Sequence, residues 1–448
     1  MSPSTASPHP AFVISDIVHR VPKDLVLWPN NPRRHSQKQI TQLCAAIKTY
    51  GFTVPILIDE SNTILGGHGR LSAAFELNLP TVPVRVITGL TQAQKRAYVI
   101  ADNKLASISS WDDVNLRSEL ELLIQDDFDI ELTAFSTAEI DLMFEPTTPG
   151  SDKKSDSLQD ADASPDVITK PGDLWLLGQH KLLCADALER SSFEQLLGEE
   201  RIQLSIVDYP YNVKISEVVG NGTTKHSEFA MASGEMSPAQ FTAFLQKALS
   251  LIHQFSADGA LSYGFMDWKH MREIQDGAKP DFGDPKQLIV WAKQAAGMGT
   301  HYRSQHELVF LFKKGQAAHI NNFGLGQHGR FRTNVWSYPS SQQFKDKSVL
   351  KEHPTPKPVA LIADALRDSS HRKGIVLDSF AGSGTILIAA ERTGRHARAM
   401  ELEPRYCDTG IRRWQRIFGK QASLASTGQT WDEVHAERLA AKAEGELS

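Results

Sequence analysis

The stretch from Gly374 to Glu391 reads GIVLDSFAGSGTILIAAE, and it sets the fold of the larger part of the chain. Its first residues, Gly374 to Leu377, predict a buried strand that the chain leaves at Asp378, and its glycines allow a tight turn before an apolar helix. The next predicted strand, His396 to Met400, is followed by Glu401. Open α/β sheets bind ligands at such strand ends. Strand, glycine turn, helix, strand and acid together indicate a nucleoside site in which Glu401 accepts hydrogen bonds from both ribose hydroxyls.

A second apolar strand, Ile202 to Val207, ends at Asp208 and is followed by Tyr209, Pro210 and Tyr211. A carboxylate, a constrained backbone and an aromatic ring are the groups needed to bind a DNA base that has left the stack and carries an exocyclic amine. Asp208 and the Tyr209 carbonyl would orient the lone pair of the amine. Tyr211 would stack on the base, a contact worth about 1–3 kcal/mol. Taken alone, the motif is also compatible with an ordinary turn after a strand.

Composition favours two globular domains, because 448 residues with 41% hydrophobic content are enough for two cores. We find no apolar stretch near the roughly 18 residues of a membrane span and no signal-peptide pattern, so we expect a cytoplasmic protein with no membrane contact. The three cysteines are widely spaced among apolar neighbours. They predict buried thiols, with neither a disulfide framework nor a metal site.

The net charge of −5 conceals a basic stretch from Lys286 to Lys357, which holds eleven Lys and Arg residues against three Asp and Glu. Such a stretch can neutralise phosphates, and its polar side chains can reach base edges. The residues that we predict to bind DNA are Arg303, Arg330, Arg332 and Asn334. A solvated basic face is the alternative explanation.

A segment rich in Ser, Asp, Pro and Lys divides the chain, because it cannot bury much surface. We predict an N-terminal domain over residues 1–145, a flexible linker over 146–169, a catalytic domain over 170–420 and a charged tail over 421–448. In the catalytic domain, strands that alternate with helices predict a doubly wound α/β sheet. The N-terminal domain is predicted to be a small α+β unit.

In the N-terminal domain, Ser36 is placed to cap a helix that ends at Gly51. The turn from Gly66 to Arg70 leads into a second helix, predicted to start at Leu71. Its amides and the arginine could hold a phosphate. A tight turn with an arginine in a surface ion pair is the alternative.

This domain resembles the N-terminal domain of ParB-type chromosome-partition proteins over Ile14 to Leu123. The segments that carry the resemblance are Asn31-Pro32-Arg33, the Gly66 to Arg70 turn and Ala101-Asp102-Asn103. It implies a nucleotide at Gly67, His68 and Arg70. A role in specificity or tethering is equally open.

The second part resembles the β class of DNA amino-methyltransferases in the order of its motifs. In chain order these are Cys184 to Asp186, Asp208 to Tyr211, Ile289 to Lys293 with His306-Glu307, His353 to Pro358, Phe380 to Thr385, and Glu401 to Pro404. The resemblance implies a Rossmann-like sheet, S-adenosyl-L-methionine as cofactor and double-stranded DNA as substrate. It places target recognition at about residues 316–350.

The same resemblance implies a set of cofactor contacts. The adenine amine of the cofactor would contact Asp186, and its ribose would contact Glu401. The methionine end would lie near Thr355, Lys357, Phe380, Gly382 and Gly384, with Asp378 and Thr385 in the same cradle.

One departure concerns position 209, where the family usually has proline. The change removes the lock on φ and puts a larger side chain beside the target base, although Pro210 still favours an extended residue 209. Three hypotheses stay open: a methyltransferase, a catalytically impaired nucleotide-gated DNA-binding protein, and a nucleotide-dependent oxidoreductase, against which the absent third glycine argues. Asp208 at the first motif position favours adenine N6 over cytosine N4. A homodimer is also open.

Overall fold

The structure, a computed structural model, describes residues 13–126, 128–144, 166–212, 234–293, 296, 301–323, 331–339 and 357–446. Its backbone contacts divide the chain into two compact units, Met1–Ser136 and Thr137–Ser448. Two predicted site residues, Arg330 and Thr355, lie outside the described residues, as does most of the predicted linker. Among the helices of the described ranges, none combines the length and apolarity that a membrane crossing requires.

The first unit is a small α+β domain built on a five-stranded sheet. Its strands are β1 (Val13–Ile14), β2 (Val18–Arg20), β3 (Ile56–Ile58), β4 (Ile64–Gly66) and β5 (Val82–Thr88), and its helices are α1 (Gln37–Tyr50), α2 (His68–Glu76), α3 (Gln92–Ile108) and α4 (Asp113–Gln125). The strand order is β1-β5-β3-β4, and β2 also pairs with β5. Ile56, Leu71 and Val84 are among the buried side chains at its centre. The α+β prediction for this unit is confirmed.

Local sequence sets the ends of α1 and α2. The Ser36 side chain accepts a hydrogen bond from the Gln39 amide, and Gly51, with φ of 77°, ends the helix, as predicted. Helix α2 begins at His68, three residues before the predicted start. The reason is that Gly67, with φ of 103°, already occupies the cap position. The glycine turn is therefore partly the first turn of a helix.

The second unit holds a ten-stranded sheet with helices on both faces. Its strands are β6 (Leu174–Leu177), β7 (His180–Cys184), β8 (Ile202–Asp208), β9 (Ser256–Met266), β10 (Gln287–Lys293), β11 (His306–Lys313), β12 (Val335–Tyr338), β13 (Ile375–Asp378), β14 (His396–Glu401) and β15 (Ser423–Leu424). Its helices are α5 (Thr137–Met143), α6 (Arg190–Leu197), α7 (Pro238–Phe255), α8 (Met271–Phe282), α9 (Val359–Ser369), α10 (Thr385–Thr393), α11 (Pro404–Phe418) and α12 (Trp431–Glu446).

The strands of this sheet follow the order β12-β10-β11-β9-β8-β13-β14-β7-β6-β15. The central strands β9, β8, β13, β14 and β7 are parallel, and the outer pairs are antiparallel except for β10 with β12. Consecutive residues of β8 face opposite layers, with Ile206 packed in one hydrophobic cluster and Val207 in the other. This confirms the doubly wound α/β prediction. It also brings the carboxyl ends of the central strands to one edge.

The C-terminal segment differs from the predicted charged tail. Strand β15 pairs with β6, and the Trp431 ring lies 4.9 Å from the Trp175 ring in the core. Residues beyond 420 therefore complete the second unit, because this tryptophan and Val434 are buried. The other domain boundaries stay predictions.

Helix α5 belongs to the second unit, although the sequence prediction assigned it to the N-terminal domain. Asp141 forms a two-pronged ion pair with Arg395, at 3.0 and 2.8 Å, and also binds Arg372 at 3.1 Å. The Arg395 and Asp141 side chains are 0% and 2% exposed. A carboxylate in α5 thus neutralises a cation that the sheet domain has buried.

We expect Asp141→Ala to destabilise the second unit by about 3 kcal/mol or more, since it leaves the Arg395 charge buried without its carboxylate. The measurement is thermal or urea denaturation of the full chain. Asp276→Ala is the matched control, because it breaks an exposed pair with Arg272 that should contribute about 1 kcal/mol or less. Equal stability losses in the two variants would contradict the role given to Asp141.

Candidate active site

The two motifs that the sequence singled out meet at one edge of the sheet. Strands β8 and β13 are parallel neighbours, so Asp208 and Asp378 end side by side. Just beyond them, the rings of Tyr209 and Phe380 lie 5.7 Å apart. The structure therefore brings the Asp208 to Tyr211 segment and the glycine turn into one site.

Both oxygens of the Asp208 carboxylate accept hydrogen bonds from the protein. Oδ1 accepts one from the Tyr211 hydroxyl at 2.9 Å, and Oδ2 accepts one from the Lys357 ammonium at 2.6 Å. Glu307 Oε2 lies 3.1 Å from the Tyr211 hydroxyl and 3.3 Å from Lys357 Nζ. On its other side, Glu307 accepts a hydrogen bond from Lys293 at 2.5 Å. Two carboxylates and two ammonium groups thus form a balanced cluster.

Burial and charge set the protonation of this cluster. Burial raises the pKa of Asp208, and the nearby Lys357 opposes that rise. Burial alone would also raise the pKa of Glu307, but Lys357 and Lys293 lower it to about 2. Burial would lower the pKa of Lys357, yet Asp208 and Glu307 raise it, so the ammonium stays charged. Burial and the two carboxylates raise the pKa of Tyr211, which keeps its proton.

The glycine turn is organised around Glu401. The Gly382 amide donates to Glu401 Oε2 at 2.8 Å, while the Gly384 amide donates to the Ala381 carbonyl. Both glycine amides are therefore engaged within the protein. Gly382 and Gly384 have φ of 51° and 75°, a conformation that favours glycine. A side chain at Gly384 would also press on Gly410.

Three further predicted cofactor residues lie around this turn. Asp378 accepts a hydrogen bond from the Phe380 amide at 3.1 Å. The Thr385 hydroxyl lies 3.5 Å from the Lys357 carbonyl and 3.2 Å from the Arg413 guanidinium. Lys357 therefore joins the two halves of the site, with its backbone at the glycine turn and its ammonium on Asp208.

Three half-buried acids lie at this part of the site. Burial first, and then the charges of Asp208 and Glu401, raise the pKa of Asp378 to about 8. Burial likewise raises the pKa of Glu401. The third acid, Asp186, accepts a hydrogen bond from the Leu188 amide at 2.8 Å, and the Ala185 amide beside it binds the Glu401 carbonyl. This part of the edge is suited to a ligand that carries positive charge.

The Tyr209 side chain turns into the core and does not lie beside a base, which corrects the sequence expectation. It is 1% exposed and packs in the hydrophobic cluster on the α7 and α8 face, with Phe380 as a ring neighbour. Within the described residues its hydroxyl has no hydrogen-bond partner.

Arg332, which we predicted to bind DNA, is engaged inside the second unit. Its guanidinium donates to Asp368 at 2.9 Å, to Asp364 at 3.4 Å and to the Tyr338 hydroxyl at 3.1 Å. It also lies 5.7 Å from the Trp336 ring. The Arg332 charge is therefore neutralised within the second unit.

Two other residues predicted to bind DNA are exposed but engaged. The Asn334 amide donates to the Leu288 carbonyl at 3.1 Å, where β10 and β12 pair. Arg303 donates to the Ala296 carbonyl at 3.0 Å. Their roles in DNA binding stay predictions, and β12 occupies part of the range predicted for target recognition.

In the first unit, the arginine of the glycine turn is folded inward. Arg70 donates to the Pro55 carbonyl at 3.3 Å, and a side chain at Gly67 would meet its guanidinium. Burial lowers the pKa of Arg70, and the Asp102 charge opposes that shift. His68 is buried, and its ring nitrogen lies 3.4 Å from the Trp28 amide. In this conformation the three residues do not form an open phosphate site.

Sequence reasoning named Lys293 and Glu307 only as motif residues without a role, and it did not name Arg413. Glu307 had a detectable signal, since it is an acid at the start of an apolar strand inside a basic stretch. Arg413 is 1% exposed and lies on a helix far along the chain from the turn it supports. A buried arginine of that kind leaves no local pattern.

Fold and site together define the class of protein. A doubly wound, ten-stranded sheet with an acidic strand end beside a glycine turn is a methyltransferase-like α/β domain, and the unit ahead of it is a ParB-like α+β domain.

Three family models match the chain. A DNA methylase model for N6 and N4 modification matches residues 202–412, a ParB N-terminal domain model matches 13–103, and a ParB-methyltransferase HTH domain model matches 115–171. The chain carries an N6/N4 DNA methylase domain, preceded by a ParB N-terminal domain and a ParB-methyltransferase helix-turn-helix domain. Both resemblances found in the sequence are confirmed, whereas the helix-turn-helix match was not anticipated.

Individual proteins are similar to one or the other of these two parts. The chain is 46% identical over 80 residues to the ParB-like nuclease domain-containing protein YnaK of Escherichia coli K12, covering 18% of this chain and 92% of YnaK. It is 24% identical over 249 residues to the Type II methyltransferase M1.MboII of Moraxella bovis, covering 51% of this chain and 92% of that protein. The solved M1.HpyAVI–SAM complex aligns with a TM-score of 0.37 and 20% identity, covering 52% and 98% of the two chains.

We expect Arg332→Ala to cost about 3 kcal/mol of stability, since it removes a half-buried cation that pairs with the buried Asp368 carboxylate. Arg303→Ala, an exposed change in the same stretch, should stay within about 0.5 kcal/mol. Denaturation curves test this, together with DNA binding at two salt concentrations. A stable Arg332→Ala protein with weaker, less salt-dependent DNA binding would restore the original assignment.

Tyr209→Phe should leave stability unchanged or raise it by about 1 kcal/mol, because a buried hydroxyl without a partner is costly. Tyr209→Ala should instead cost about 3–5 kcal/mol through the cavity it opens. Both are read from thermal denaturation. A clear loss of stability in Tyr209→Phe would show that the hydroxyl has a partner outside the described residues.

Proposed function

We propose that the chain transfers a methyl group from S-adenosyl-L-methionine to the N6 amine of an adenine that has left the DNA stack. The observation that carries the proposal is the adjacency of two strand ends, one bearing Asp208 and the other leading into the glycine turn at Gly382. A methyl acceptor and a methyl donor have to meet at such a place.

The residues around the turn fit the cofactor. S-adenosyl-L-methionine would supply an electrophilic methyl group on a positively charged sulfur. Asp378 and Glu401 are half-buried carboxylates whose pKa values are raised by desolvation, and a cation close to them would favour their ionised forms. Glu401 would hold the ribose and Asp186 the adenine amine, while Phe380 offers a half-buried ring at the turn.

Asp208 would act first by orientation. The lone pair of an exocyclic amine is delocalised into the base, so two acceptors are needed to direct it toward the methyl donor. The Asp208 carboxylate and the Tyr209 carbonyl supply them. A strong base is not required, because the amine becomes acidic once methylated. Tyr211, whose ring is half-buried beside Lys357, would supply the aromatic contact to the base.

Two alternatives belong to the same site. Cytosine N4 presents the same amine chemistry, and the aspartate at position 208 supports adenine over it. A catalytically impaired DNA-binding protein is less well supported, because the cluster of Asp208, Glu307 and Lys357 retains complementary charges and short contacts. The helix-turn-helix match at residues 115–171 supports double-stranded DNA as the partner. The inward Arg70 favours a specificity or tethering role for the first unit over nucleotide binding.

The test is incubation of the full chain with methyl-labelled S-adenosyl-L-methionine and unmethylated genomic DNA, followed by digestion to nucleosides. We expect N6-methyladenine; N4-methylcytosine would change the assigned base, and no product would reject the activity. Asp208→Ala should lower transfer by at least about 100-fold, since a positioned group at the reacting amine is lost.

Calorimetric binding of S-adenosyl-L-methionine separates chemistry from cofactor affinity, which Asp208→Ala should leave largely intact. Asp284→Ala, an exposed change, is the matched control. Full turnover by Asp208→Ala would refute the catalytic assignment.

A further inference from the structure

The Asp208 carboxylate is fully engaged before any substrate binds. Its two oxygens accept hydrogen bonds from Tyr211 at 2.9 Å and from Lys357 at 2.6 Å. Its side chain is 25% exposed, whereas that of Lys357 is 6% exposed, so the carboxylate is the part of the pair that an incoming base can reach. An amine that donates to Asp208 must therefore compete with donors that the protein already holds there.

Glu307 offers a second acceptor to both of these donors. The Tyr211 hydroxyl has one proton and two carboxylate neighbours, Asp208 at 2.9 Å and Glu307 at 3.1 Å. The Lys357 ammonium lies 2.6 Å from Asp208 and 3.3 Å from the same Glu307 oxygen. A small movement of either donor would exchange one acceptor for the other.

Glu307 is itself held in place and ionised. Lys293 donates to its other oxygen at 2.5 Å, and Lys293 lies over the Trp291 ring at 5.0 Å. Lys357 lies between the rings of Phe265 and Tyr211, at 5.3 and 5.5 Å from their centres. The aromatic contacts guide the ammonium, and the fixed carboxylate gives it a defined second position.

We infer that Glu307 is a positioning residue that shares the Lys357 ammonium and the Tyr211 proton with Asp208, and accepts both when a target amine binds Asp208. This rests on the proposed methyl transfer and deepens its site. In the free protein the sharing keeps the half-buried Asp208 carboxylate paired. In the complex it frees that carboxylate without leaving the buried Lys357 ammonium unpaired.

The kinetic test uses Glu307→Gln, which keeps an acceptor but removes the charge. Lys357 then has Asp208 as its one carboxylate in the cluster, so kcat should fall by about 10- to 100-fold. The KM for S-adenosyl-L-methionine should be unchanged. Glu200→Gln, which removes pairs with Arg398 and Lys181 elsewhere in the sheet domain, should leave both values unchanged.

The pH profile gives a readout that a purely structural role would not move. The charged groups facing Asp208 are Lys357, Glu307 and Asp378, with the Tyr211 hydroxyl beside them. The Glu307 charge raises the pKa of Asp208, so removing it lowers that pKa. Activity needs the ionised carboxylate, and the acid limb of kcat/KM should therefore move to lower pH in Glu307→Gln. An unchanged limb and unchanged kcat in an active enzyme would overturn the inference.

A stability test decides the sharing even if the chain transfers no methyl group. In the native protein, Asp208→Asn still leaves Lys357 one carboxylate in the cluster, that of Glu307. In the Glu307→Gln protein, the same change leaves Lys357 with no carboxylate in the cluster. The fall in melting temperature on Asp208→Asn should therefore be larger in Glu307→Gln than in the native protein. Additive changes would reject the sharing.

Repulsion between the Asp208 and Glu307 carboxylates would make the two stability changes non-additive in the same direction. The same double-mutant comparison is therefore repeated in a protein that carries Lys357→Met. If Asp208 and Glu307 share the ammonium, the non-additivity should shrink once the ammonium is removed. Repulsion alone predicts that the non-additivity persists, and that result would reject the inference. If Lys357→Met does not fold, the same comparison is made with Tyr211→Phe, which removes the other shared donor.

Discussion

The site depends on keeping a carboxylate at the end of a buried strand. Strand β8 delivers Asp208 to the edge of the sheet, where burial opposes its charge. Lys357 supplies the opposing charge at 2.6 Å, but that ammonium is also buried and needs further partners of its own. Glu307 and Lys293 complete the balance. The need to neutralise these charges therefore brings four side chains from four different segments into one cluster.

This balance divides the edge of the sheet into two environments. Around Asp208, two cations match two carboxylates. Around the glycine turn, Asp378 and Glu401 bind backbone amides of the turn and of the segment that follows β14. The first environment suits a neutral base, and the second suits a cationic cofactor. The division lies between adjacent strands, so the reacting groups can be neighbours while their electrostatic surroundings differ.

Most of this fold is predictable from sequence because buried parallel strands are continuous apolar runs. Ile202 to Val207 and Gly374 to Leu377 both gave strands within two residues of their observed bounds. Long-range side-chain pairs are different. Asp141 and Arg395 are 254 residues apart, and nothing local distinguishes them from surface charges. Glu307 has a local signal, but its partners come from three other segments and cannot be identified from the sequence. The predicted tail failed for a related reason, since the burial of Trp431 depends on Trp175.

The basic stretch shows why charge counted along a sequence overstates the charge available to DNA. Three of its described cations, Lys293, Arg332 and Lys357, are neutralised by carboxylates inside the second unit. A fourth, Lys314, donates to the carbonyls of His253 and Ser256. A phosphate would have to displace these partners and leave buried carboxylates behind, which costs more than a surface contact returns. Contact with DNA must therefore rely on cations that are not paired inside the protein. Sequence composition alone cannot distinguish these cations from the internally paired ones.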